Sequence, residues 1–87
     1  MPPVTKKGFV RVVMTRKKKD SDEHDFFDSP VVTYTQCLKI LEEYRNQKNL
    51  DQVFDLELTS GAHIFLDAVE IQEAWFIPES FLNNDGN

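Results

Sequence analysis

Asp20, Asp22, His24 and Asp28 fall within nine residues, in the stretch TRKKKDSDEHDFFDSP that spans residues 15–30. Carboxylate oxygens at alternate positions of a loop are how proteins hold hard divalent cations, and Asp20, Asp22 and His24 occupy loop positions one, three and five. Two less forgiving positions fail. Asp25 stands where a calcium loop needs glycine for its sharp turn, and Val31 stands where it needs a bidentate glutamate. The four residues therefore define only a weak cation candidate beside a solvated acidic loop, and no metal is assigned.

Cys37, with His24 or His63, is the other set able to do chemistry. A reactive thiolate requires an electropositive, partly exposed position. Cys37 instead shares an apolar stripe with Tyr34, Leu38 and Leu41, where a free cysteine packs as a small hydrophobe. One cysteine and two histidines cannot supply the usual four ligands of zinc. Gly8, Gly61 and Gly86 are scattered and open no phosphate-binding turn. No catalytic residue, metal or cofactor is assigned, and a non-enzymatic protein is expected.

Charge is the stronger signal. Residues 1–19 carry seven Lys and Arg and no acid, whereas residues 20–87 carry three bases against fifteen acids. After Asn49 there are eight acids and no base. The basic opening, Arg11, Arg16, Lys17, Lys18 and Lys19, is suited to phosphate contact. Lys7, Gly8 and Phe9 match the start of the base-stacking strand motif of RNA-recognition domains, but Arg11 and Met14 stand where the later aromatics belong. The acidic half suits a basic protein surface instead, through steering and complementarity.

These residues have to be positioned by elements that the pattern defines. Gly8–Arg16 is β-branched and apolar on both alternating sets, as expected of a strand inside a sheet or covered on both faces. Residues 17–30 show no period and read as a charged loop, in which at least one of Phe26 and Phe27 tucks against the core. Thr33 and Gln36 have capping-box spacing before Tyr34, Cys37, Leu38, Leu41 and Tyr44, predicting a helix over 33–47.

Two alternating runs, Val53–Thr59 and Ala62–Asp67, flank a turn with Gly61 at its left-handed position. That turn pairs Leu58 with Ala62, Leu56 with Ile64 and Phe54 with Leu66 on the buried face. Outside it places Glu57 opposite His63, as its ionic partner, and Asp55 opposite Phe65. Val69, Ile71, Trp75 and Ile77 continue the period of two into a further strand, broken at Glu73 by a bulge or a strand end near 72–74 and stopped by Pro78. Residues 79–82 read as a last turn and 83–87 as a frayed tail.

The expected architecture is a single small α+β domain over 1–87, with its core at about 8–82. Its order is β-α-β-β-β, with one helix packed on a mainly antiparallel sheet. Eighty-seven residues leave no room for a second core. No window approaches the roughly 18 apolar residues of a membrane span, and MPPVTKKGFV lacks the apolar stretch of a signal peptide, so a soluble cytoplasmic protein is expected.

Asp55, Glu57, Phe65, Asp67, Glu70 and Glu73 are the expected partner-binding residues, with Trp75 as a further anchor. They suggest a small acidic binding protein, an inhibitor that occupies a basic, nucleic-acid-binding surface of a partner. Inhibitors of phages and mobile elements offer an analogy of size and charge only. The alternatives are direct nucleic-acid binding through the basic opening, and a structural subunit of an assembly.

Overall fold

The computed structural model describes residues 6–83, and most of the expected C-terminal tail lies outside the described residues. β1 (Lys7–Lys17) is the central strand, because its two alternating sets each find cover. Val10, Val12 and Met14 are buried on one face, and Phe9 is buried on the other. Along one edge β1 pairs antiparallel with β6 (Ile71–Pro78), from Gly8 opposite Pro78 to Met14 opposite Ile71. Along its other edge it pairs antiparallel with β2 (His24–Asp28) and then with the two-residue β3 (Val32–Thr33).

β2 corrects the sequence reading of 17–30 as a loop, and with β3 it changes the order to three strands, a helix and three strands. The run HDFFD conceals its strand character because its two apolar residues are adjacent and face opposite ways. Phe27 packs against the core, as one of the pair was expected to, while Phe26 stays on the outer face. Between β2 and β3 sits the buried Ser29, whose N–H donates to Val10 O at 3.0 Å and whose Oγ accepts from Val10 N–H at 2.9 Å. One serine thus replaces a ladder step and lets the edge strand break without orphaning a buried amide.

Thr33 caps α1 (Tyr34–Asn49), which runs two residues past the expected end. The capping box is formed, with Gln36 N–H donating to Thr33 Oγ1 at 3.2 Å and Thr33 N–H donating to Gln36 Oε1 at 3.1 Å. Cys37, Leu41 and Tyr44 are buried, whereas Tyr34 and Leu38, on the margin of the same stripe, are partly exposed. α1 lies against β1, β4 and β6.

β4 (Val53–Glu57) and β5 (His63–Asp67) form a separate two-stranded antiparallel sheet in the expected register, with Gly61 at φ 89° in the turn. Phe54, Leu56 and Leu66 from this hairpin join Val10, Val12, Met14, Cys37, Leu41, Tyr44 and Ile71 in one core. The helix stripe is what unites the two sheets.

The segment after β5 departs from the expected period. Ala68–Glu70 forms a 3-10 turn, and Gln72 is the extra residue between Ile71, opposite Met14, and Glu73, opposite Val13. This bulge, one of the two breaks expected near 72–74, moves Ile71 to the core face while Trp75 and Ile77 point outward, so the four apolar residues do not share a face. Ser80–Asn83 forms the short α2. No helix among the described residues is long and apolar enough to cross a membrane.

Candidate functional site

Alternation along the hairpin decides what it shows to solvent. With Phe54, Leu56 and Leu66 inward, the residues Val53, Asp55, Glu57, His63, Phe65 and Asp67 are all exposed on the other face. Asp55 lies opposite Phe65, Glu57 opposite His63 and Val53 opposite Asp67. Phe65 is 70% exposed, and β4 and β5 carry no Lys or Arg. This is an acidic face built around one aromatic ring.

His63 does not take the expected partner. Its Nδ1 makes a 2.9 Å hydrogen bond to Asp55 Oδ1, diagonally across the ladder, instead of bonding Glu57 directly opposite. Diagonal neighbours lie within reach of a ring as long as imidazole, and the strand twist brings one diagonal closer. The hydrogen bond and charge of Asp55, with a smaller contribution from Glu57, hold the imidazole above its ordinary pKa, while desolvation opposes them weakly.

Four of the six expected partner-binding residues, Asp55, Glu57, Phe65 and Asp67, therefore converge. Glu70 and Glu73 do not belong with them. Glu70 sits in the 3-10 turn, and Glu73 lies on the outer face of the larger sheet, accepting a 2.6 Å hydrogen bond from Trp75 Nε1–H. Trp75, the further expected anchor, is thus on another surface. Sheet membership, absent from the linear pattern, divides the set.

The basic residues are brought together with acids instead of with each other. Arg11 pairs with Asp28, Arg16 with Asp25 at 2.9 Å, and Lys18 with Glu23 at 3.7 Å, all three across the β1–β2 hairpin. Asp28 holds the Arg11 guanidinium above its ordinary pKa, chiefly through their hydrogen bonds. Among the described residues Lys17 and Lys19 make no ion pair. The abrupt change of sign between Lys19 and Asp20 is a hairpin turn, with Asp20 in the left-handed region, and the two halves of the charge run are zipped along its arms.

A second surface was not read from the sequence. On the outer face of the larger sheet Arg11, Val13, Phe26, Trp75, Ile77 and Phe81 line an open groove of about 680 Å³. The Arg11 guanidinium lies 4.3 Å from the Phe26 ring centre, a cation–π contact. The signal available was the adjacent Phe26 and Phe27, one of which had to face outward once the other was buried.

The residues first considered for chemistry are occupied otherwise. His24 Nδ1 is 2.9 Å from Met14 O, and Asp28 holds Arg11, so half of the cation candidate is engaged elsewhere. Among the described residues no group of three or more His, Cys, Asp or Glu is placed to hold a metal ion. Cys37 is fully buried, and burial pushes its thiol pKa up, away from the reactive thiolate. What the exposed faces offer is association by charge and aromatic contact. No protein-family model matches the sequence, and no curated protein or solved structure is significantly similar to it.

Proposed function

We propose that the protein is a small non-enzymatic binding module whose hairpin face docks on a basic surface of a partner protein. The observation that carries this reading is Phe65, largely exposed and framed by Asp55, Glu57 and Asp67 on strands without Lys or Arg. An exposed phenylalanine gains roughly 1.5–3 kcal/mol when a partner buries it. The surrounding carboxylates contribute steering and choice of partner more than affinity. A partner surface that normally binds nucleic acid offers the matching cations, and its occupation by carboxylates would inhibit by competition.

Direct nucleic-acid binding is the weaker reading. A phosphate approaching Arg11, Arg16 or Lys18 has to displace a carboxylate already paired with it. Only Lys17 and Lys19 escape that competition among the five cations first considered.

Titration of isotopically labelled protein with a peptide of alternating Arg and Leu, and separately with a single-stranded oligonucleotide, distinguishes the two. The peptide is expected to shift the amides of 53–57 and 63–67, with an affinity that falls as salt rises. Phe65→Ala, and separately Glu57→Lys with Asp67→Lys, should each weaken it by about tenfold. Shifts confined to Lys17–Lys19 on adding the oligonucleotide, with none from the peptide, would establish the opposite reading.

A further inference from the structure

β6 is an edge strand: β1 is its only partner among the described residues, and its other edge is open. Which backbone groups face that open edge follows from one bond. Glu79 N–H donates to Lys7 O at 2.8 Å, in the same register that sets Phe9 opposite Ile77 and Arg11 opposite Trp75. Residues 73, 75, 77 and 79 therefore direct their amides toward β1, and Ala74, Phe76 and Pro78 direct theirs outward. Pro78, lacking an N–H, sits where that lack breaks no internal bond.

Most edge strands carry devices against pairing, such as lysine or an inward charge. β6 carries only the bulge at Gln72 and Pro78 at its end, which leave Ala74 to Ile77 as the stretch free to pair. At the middle of that stretch Trp75 is 53% exposed, and Val69 in the turn before β6 and Phe81 in α2 after it are exposed as well.

We propose that this edge receives the same edge of a second copy of the chain, antiparallel, with the two-fold axis at Trp75. In that register Ala74 of each copy exchanges hydrogen bonds with Phe76 of the other, and the two Trp75 side chains meet as a non-hydrogen-bonded pair with Cα atoms about 4.5 Å apart. Charge selects this register in a half of the chain that has acids and no bases. It sets Glu73, the only glutamate within β6, against Ile77 of the other copy. In this register the bonded ladder ends where Pro78 meets the bulged Gln72, whereas moving the axis to Phe76 would set Pro78 directly against Ala74 and lose a bond at each end. Moving it to Ala74 would require Gln72, displaced by the bulge, to bond with Phe76. Self-pairing joins the larger sheets of the two copies and leaves both acidic hairpin faces uncovered by the pairing itself. The proposal is independent of the binding reading above.

Mass measured by light scattering or sedimentation from micromolar to millimolar protein should show a monomer–dimer equilibrium, weakened at least about tenfold by Trp75→Lys. Circular dichroism establishes that the variant is folded. In a Cys37→Ala background, Trp75→Cys should form an interchain disulfide on oxidation, because the introduced thiols face each other across the axis. Glu73→Cys should not, since its copies lie about four residues apart along the ladder, roughly 13 Å. A monomer at every concentration would overturn the proposal. So would equal cross-linking of the two cysteine variants, or a folded Trp75→Lys variant that dimerises as before.

Discussion

Arg11 and Asp28 face each other across β1 and β2 and are joined by two hydrogen bonds, Nε–H to Oδ1 at 2.9 Å and Nη2–H to Oδ2 at 3.1 Å. The paired geometry fixes the guanidinium plane, which lets the same group lie over Phe26. Because both side chains are about a quarter to a third exposed, solvent screens part of the attraction. A double-mutant cycle of Arg11→Ala and Asp28→Ala in urea unfolding should give a coupling of about 1 kcal/mol. Arg11→Lys should recover less than half of it, for lack of the second donor.

Ser29→Ala should cost about 1–3 kcal/mol, since it leaves the fully buried Val10 N–H without an acceptor. Hydrogen exchange gives the specific readout. The Val10 amide should lose protection ahead of the amides in α1.

Gly8→Ala should destabilise by roughly 1–3 kcal/mol through overpacking. A Cβ at that position would overlap the Ile77 carbonyl oxygen and come within 2.6 Å of the Phe76 ring. Gly61→Ala tests a different cause. Space is open around Gly61, but its φ of 89° disfavours a side chain, and a loss of about 1 kcal/mol is expected. Thermal unfolding of both variants checks the ranking.

His63 should titrate above the 6.5 of an unperturbed imidazole. Asp55→Asn should lower its midpoint, followed by proton NMR of the ring, and Glu57→Gln should lower it less, in the order of their contributions. The sign for stability follows from the raised folded-state pKa. The pair's contribution is fully present below the unfolded value near 6.5 and is lost as pH rises through the folded midpoint. Stability that instead increased over that window, through this histidine, would contradict the pairing with Asp55.

Cys37 should resist alkylating reagents in the native protein and react in urea, because the fully buried thiol is both inaccessible and held protonated. The rate of modification, measured against urea concentration, should follow the opening of the core.

Local chemistry made several elements legible in the chain alone. The Thr33–Gln36 box and the Cys37, Leu41, Tyr44 stripe define α1 within a few residues, since capping and helical period act between near neighbours. The β4–β5 register was readable because a three-residue turn around Gly61 leaves one pairing that buries Phe54, Leu56 and Leu66. The sign change at Lys19–Asp20 and the acidity after Asn49 were equally plain. Only the tertiary structure decided what those charges meet. Residues 24–28 became a strand because β1 had an open edge and cations at the matching positions, which no local period announces. The bulge at Gln72 set the phase of β6, and pairing with β1 put Glu73 and Trp75 in a different sheet from Asp55 and Asp67. Which acids share a face depends on which strands are neighbours, and that is settled by burial of the whole core, not by any one segment.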